Sequence, residues 1–159
     1  MSARGEILEH RLLPAICDAV EKAAASLDIT GVRALRVLLH AGLSAYWPLI
    51  QSSPEQQVLA YEEIVRRLRR HWETTPDGVP DPVASAEFRA KGDEICVFLE
   101  LCAQRSGTQW LEPVDSIAAY SMSVIQGTVL RWLADCDDET ILVVFDDLVS
   151  SLATKAVAV

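Results

Sequence analysis

Ser116-Ile117-Ala118-Ala119-Tyr120-Ser121-Met122-Ser123-Val124-Ile125-Gln126-Gly127-Thr128-Val129-Leu130 carries no charged residue. A helix that avoids charge on every side avoids water on every side, so this run predicts a helix buried around its circumference. It belongs to a segment from about Pro113 to Ala134, and the final segment of the chain has the same apolar character. Asp137-Asp138-Glu139 suits a helix N-terminus, with Asp137 as cap. Ile141 to Phe145 could pass locally for a strand. The pattern continues at helical spacing, however: Ile141, Phe145, Leu148 and Leu152 form one stripe, and Leu142, Val149, Ala153 and Ala156 a second. No other convincing strand exists for it to pair with.

Working back toward the N-terminus, four more helical segments emerge. The first runs from about Gly5 to Leu27, with Ile7, Leu8, Leu12, Ile16, Val20 and Ala24 on one face and Pro14 predicting a kink or break. The second starts near Thr30 and carries Val32, Leu35, Leu38, Leu39, Gly42, Leu43 and Tyr46, with Pro48 expected to end or bend it. In the third, Ser53-Pro54-Glu55-Gln56 sets a capping serine, a proline at the first helical position and a glutamine at the third. Val58, Tyr61, Val65, Leu68 and Trp72 come next at spacings of three and four, with Glu62, Arg66, Arg69 and Arg70 on a wet face. The loop from Thr74 to Pro82 holds three prolines and Gly78. The fourth segment starts near Asp81-Pro82 or Ser85, carries Phe88, Ile95, Cys96, Leu99 and Cys102, and fades at Ser106-Gly107. A short linker with Trp110 leads into the uncharged helix. The expected fold is an all-α bundle of about six helices in a single domain, residues 1–159.

The chain has 159 residues, 14 Lys+Arg against 23 Asp+Glu, a net charge of -9 and 50% hydrophobic residues. Mean hydropathy is +0.19 and the pI is near 4.7. Such acidity argues against a nucleic-acid-binding face, which needs basic residues for the phosphates. The hydrophobic content excludes intrinsic disorder and points to oligomerisation or a large apolar cavity. The first residues lack a signal-peptide core, and no run of about 18 apolar residues predicts a membrane span. Cys17, Cys96, Cys102 and Cys136 form no C-x-x-C pair and have no zinc-finger spacing to His10, His40 or His71, so they read as reduced core residues of a cytoplasmic protein. No cofactor or metal is expected.

The last two helices are apolar on more than one side. One side can pack on the domain's own core. Either a symmetry mate covers the other, making a four-helix interface, or the pair is enclosed within a monomer; the domain is small for the second solution. The expected seam is Val124, Thr128, Trp132, Ile141, Phe145, Leu148 and Leu152, with Trp132 at the seam or at the helix end.

Val124 to Asp137 resembles the end of TetR/AcrR-family regulators, where an uncharged helix ends in a glycine, then Leu-x-Trp-Leu (Leu130 to Leu133 here), then an acidic turn. Asp146 to Ala153 resembles the family's last helix. The Ser53-Pro54 helix start and the Tyr61-Glu62 pair resemble its central effector-domain helices, and Arg4 to Glu9 resembles the segment after its DNA recognition helix. The family's helix-turn-helix is missing ahead of that segment. The resemblance implies an effector-binding and dimerisation domain of a repressor. A small hydrophobic effector would enter among the second to fifth segments and shift the first. Operator DNA would be contacted only through a helix-turn-helix that this chain does not carry.

Pocket candidates are Tyr46, Trp47, Tyr61, Trp72, Phe98, Trp110 and Tyr120, each equally suited to core packing, and Ser123 and Gln126, polar side chains in an uncharged helix that need hydrogen-bond partners. His40 reads as a core histidine or a ligand contact. No phosphate loop, H-E-x-x-H or G-x-S-x-G occurs, and Glu62-Glu63 and Asp146-Asp147 are adjacent in helices and point apart, so no enzyme is expected. Alternatives are a stand-alone helical interaction protein that heterodimerises with a full-length regulator, and a small helical enzyme.

Overall fold

The computed structural model describes residues 3–159, with side chains from residue 12 onward. Ile7, Leu8 and His10 therefore lie outside the described side chains. The described residues form six α-helices: α1 (Ala3–Ser26), α2 (Val32–Gln51), α3 (Pro54–Thr74), α4 (Pro82–Ser106), α5 (Val114–Asp135) and α6 (Asp138–Ala153). Two three-residue strands, β1 (Thr108–Trp110) and β2 (Ala156–Ala158), complete the fold. No helix among the described residues is long and apolar enough to cross a membrane.

The core is built on α2. Leu35, Leu38, Leu39, Leu43, Trp47 and Ile50 are buried along it, spaced so that nearly every turn points inward. Helices α1, α4 and α6 pack on it. Val20 of α1, Leu99 and Cys102 of α4, Ile117 and Val129 of α5, and Ile141, Phe145 and Leu148 of α6 close the cluster. Gly42 lets α4 approach, because the Phe98 ring occupies the space that a Cβ would need.

Helix boundaries obey local chemistry. Asp81 caps α4, its carboxylate accepting from Val83 N–H at 2.9 Å and Ala84 N–H at 3.0 Å. Asp137 caps α6 as expected, accepting from Thr140 N–H at 3.1 Å. Ser53 is the cap residue of α3 with Pro54 next, but its hydroxyl donates backward to the Leu49 carbonyl at 3.3 Å instead of closing a capping box. The start of α2 is set by Gly31 rather than Thr30: φ is 85°, a left-handed value suited to glycine. Its N–H donates to the Ser106 carbonyl at 2.6 Å, joining the start of α2 to the end of α4. Neither Pro14 nor Pro48 ends its helix. Each removes one N–H donor, and packing of the flanking turns outweighs that loss.

Two expectations are revised. The linker around Trp110 is β1, paired antiparallel with β2 in the register Thr108↔Ala158 and Trp110↔Ala156. Ala156 therefore belongs to a strand, not to the second stripe of the last helix. And α5 is not enclosed: Ala119, Tyr120, Ser123, Gly127, Leu130 and Ala134 are exposed along one arc, while Ile117, Ala118, Ser121, Val129 and Trp132 are buried. Absence of charge marks the helix as unusual, but one side of it meets solvent in the single chain.

Candidate functional site

The pocket candidates separate into three groups. Tyr46 of α2 lies near Tyr61 of α3 and meets Phe145 of α6 with ring centroids 6.4 Å apart, and the Phe98 ring of α4 packs on Gly42, one turn before Tyr46. Tyr61 Oη donates to the Gln126 backbone carbonyl at 2.8 Å, tying α3 to α5. Burial pushes the Tyr46 hydroxyl far above its ordinary range, with Tyr61 adding to the effect, and burial raises Tyr61 as well. Both are neutral hydroxyls facing an apolar interior, suited to hydrogen bonding and not to ionisation.

Trp47 belongs to the core. It stacks edge-on against Trp132, with centroids 4.8 Å apart and planes at 89°, and edge-on against Phe145 at 6.3 Å. Trp110 sits on β1, its indole N–H donating to the Leu99 carbonyl at 3.2 Å. Tyr120 is remote from the cluster; its hydroxyl donates to Ser151 Oγ at 3.2 Å and Lys155 Nζ stands 5.7 Å from its ring centre. Trp72 is 66% exposed on the outer side of α3. Ser123 satisfies its hydroxyl within its own helix, donating to the Ala119 carbonyl at 2.8 Å. No buried side-chain nitrogen or oxygen among the described residues lacks a partner, so the expected demand of Ser123 and Gln126 for an outside partner is not present in this state.

The residues assigned to a seam face inward. Trp132, Ile141, Phe145, Leu148 and Leu152 are buried in the chain's own core. Val124 and Thr128 are half-buried, with the Thr128 hydroxyl donating to the Val124 carbonyl at 2.7 Å. The physical reason is that α6 carries an apolar arc wider than one stripe, and spacing alone does not say which edge of it faces in. The outer edges of the pair are Leu130, Leu142 and Val143, at 54%, 57% and 59% exposure.

Helix α3 is the least anchored element around the aromatic cluster. None of its residues is fully buried. Besides Tyr61, it is held through its C-terminal half: Arg67 Nε donates to Asp81 Oδ1 at 2.9 Å, His71 Nδ1 stands 3.8 Å from Asp81 Oδ2, and His71 Nε2 meets the Val79 carbonyl at 2.6 Å. Asp81 thus joins the α4 cap to α3. The hydrogen bond from Ala84 N–H, with those from Arg67 and Val83, holds its carboxyl below the usual 3.8 against the opposing effect of burial. Thr140, through hydroxyl and N–H, does the same for Asp137. Because the folded values are depressed, the stability that these carboxylates confer is complete above the unfolded value and is lost as pH falls from about 4 toward the folded values. Thermal melting is expected to be flat from pH 7 to 5 and to decline below. Asp81→Ala, which removes the cap, melts roughly 3–8 °C lower at pH 7, and the gap narrows as pH falls from about 4 through the depressed folded value, where the native carboxyl also loses its charge.

An open groove of about 610 Å³ between α2 and α6 is lined by Arg36, Val37, His40, Ala41, Asp146, Val149 and Ser150. Sequence reasoning did not find it. His40 is neither core nor part of the aromatic cluster: Nδ1 is 3.0 Å from Ser44 Oγ and Nε2 is 3.2 Å from Asp146 Oδ1. Arg36 Nη2 donates to Ser150 Oγ at 2.9 Å. The Ser44-His40-Asp146 chain has residue types found in nucleophilic catalysis. Its imidazole is open to water, and Ser44 lies inside a helix, where neighbouring backbone N–H groups are spent on the helix itself and do not point at an oxyanion. Its evident physical effect is to tie α2 to α6. The i,i+4 spacing of His40 and Ser44 is visible in the sequence; the partner Asp146, far along the chain, is not.

The cysteines form no disulfide among the described residues. Burial, together with Asp115, pushes the Cys96 thiol up to about 11, and burial raises Cys17 and Cys102 too. None of the three is an activated thiolate. No group of three His, Cys, Asp or Glu side chains among the described residues is placed to hold a metal ion. Compared with family models, with curated proteins and with solved structures, the chain matches none.

Proposed function

We propose that the chain is the effector-sensing and dimerisation unit of a TetR-like transcriptional repressor. It acts as a cytoplasmic homodimer, and its parent protein contacts operator DNA through a helix-turn-helix. The observation that carries this reading is the junction of Tyr46, Tyr61, Phe98 and Gln126 under a helix with no fully buried residue. Swinging α3 outward breaks the Tyr61 hydrogen bond to α5 and opens an aromatic-walled, hydroxyl-bearing space between α2, α4 and α5. Such a space suits a small apolar molecule with one polar group. An effector that binds the opened form better than the closed one shifts the population toward it. The displacement passes to α1, which packs on α2 and α4 and is tied to α4 by the Glu21–Arg105 ion pair at 2.9 Å. The uncharged outer arc of α5, together with the exposed Leu142 and Val143 of α6, supports the dimer.

Binding of 1-naphthol and of decanoate, measured by calorimetry and thermal shift, tests the reading. At least one probe is expected to bind and raise Tm. Phe98→Ala and Tyr46→Phe weaken that binding roughly tenfold, the loss of one well-placed contact, whereas Trp72→Ala leaves it unchanged. Failure of both probe classes, or binding indifferent to Phe98 and Tyr46, removes the effector site from this cluster.

A further inference from the structure

The outer side of α3 carries a second feature that the aromatic cluster does not use. Val58, Val65 and Trp72 recur every seven residues and are 49%, 59% and 66% exposed. They adjoin Tyr61, which is three residues from Val58 and four from Val65, so the line runs beside the contact with Gln126 of α5. Half of the apolar arc of α3 therefore faces the bundle, and the other half continues onto the uncharged outer arc of α5. Beyond α5 lies α6, whose exposed Glu139, Val143 and Asp147 are aligned at intervals of four. The three helices present one continuous face in the order α3, α5, α6.

We infer that a second copy of this chain covers that face, with α5 against α5 and α3 of one copy on α6 of the other. This rests on the dimer reading above and fixes the geometry of its seam. A stable interface takes roughly 20–30 residues a side, and α5 and α6 offer ten and six exposed positions, not all on one face. Adding α3 supplies the missing surface and its largest exposed side chain, Trp72. Charge points the same way. Packing α6 on its own copy sets Glu139 and Asp147 against the same acids, in chains that each carry a net charge of -9. Packing α3 on α6 sets Val65 on Val143, with Arg66 and Arg69 beside Glu139 and Asp147. Within the chain those arginines pair with Glu62 at 2.6 Å and Glu73 at 3.1 Å, so this edge of α3 meets the acids of α6 as a locally neutral surface rather than as a like charge.

Sedimentation of the full chain at micromolar concentration is expected to give a dimer. Val65→Glu, an exposed substitution that leaves helical circular dichroism unchanged, raises the dimer dissociation constant roughly 100-fold. In a Cys136→Ser background, oxidation of mixed Val65→Cys and Val143→Cys chains, distinguished by tag length, gives the crossed disulfide. If Val65→Glu stays dimeric while Leu130→Glu dissociates, or if Val65→Cys crosslinks only to itself, the pairing of α3 with α6 is overturned and the dimer stands. A monomeric wild-type chain overturns both.

Discussion

Trp47→Ala is expected to remove about 3–5 kcal/mol of stability, the range for deleting a large aromatic from a packed core, and to lower Tm by roughly 10 °C. The packing around the ring concentrates the loss. Trp47 is buried, meets Trp132 edge-on at 4.8 Å and meets Phe145 edge-on at 6.3 Å. Those partners come from α5 and α6, so one side chain of α2 joins three helices. Edge-to-face pairs contribute beyond area burial, on the order of 0.5–1.5 kcal/mol each. Trp132 is fixed in turn by its indole N–H, which donates to Asp138 Oδ1 at 2.8 Å, and Gln51 Nε2 donates to the same oxygen at 3.2 Å. Emptying the Trp47 site leaves a cavity that this hydrogen-bonded ring cannot swing in to fill. Trp47→Phe keeps an edge-on ring and is expected to recover about half of the loss. Denaturant or thermal unfolding measures all three proteins. A Trp47→Ala protein as stable as the wild type would place Trp47 in an open pocket, as a ligand wall rather than as core.

The same residues show what spacing conveys and what it does not. Periods of three and four identify all six helices, and Ile141 to Phe145 is helical, not extended, because Leu148 and Leu152 continue its stripe. Pro54 at the first helical position places the start of α3, and the aspartate caps place those of α4 and α6, since proline and aspartate act locally. The pairing of β1 with β2 is illegible in the sequence: three-residue strands have no period, and these two are separated by two whole helices. Orientation is the second gap. A wide apolar arc on α6 makes Ile141 and Leu142 equivalent on paper, yet one is in the core and the other is 57% exposed. Trp72, Tyr61 and Trp47 are all aromatics in helices, and only packing separates them into surface, cluster and core. His40 lies between leucines and reads as interior, although its spacing to Ser44 marks a polar edge.

Gly42 is where the sequence offers the least signal for the largest steric consequence. An alanine Cβ there would come within 2.6 Å of Phe98 Cζ and closer still to Cε2, against a helix backbone that cannot retreat without opening the α2–α4 contact. Gly42→Ala gains helix propensity worth about 1 kcal/mol in an unhindered helix, but overpacking costs about 1–3 kcal/mol, so the net result is destabilising. Gly42→Val adds two methyl groups to the same overlap and is expected to cost about 3 kcal/mol, lowering Tm by roughly 6–12 °C. Phe98 is half-buried at the edge of the aromatic cluster, so its ring can be cut away to relieve the clash. In a Phe98→Leu background, Gly42→Ala should cost much less than in the native chain, and the non-additivity of the double mutant measures the contact itself. The pair also bears on function. Pushing the Phe98 ring off α2 drives it into the space where the proposed effector sits, so Gly42→Ala should weaken decanoate or 1-naphthol binding more than its effect on stability alone would. If Gly42→Ala raises Tm, helix propensity has prevailed, the two helices do not approach so closely, and the Phe98 wall of the cluster lies elsewhere.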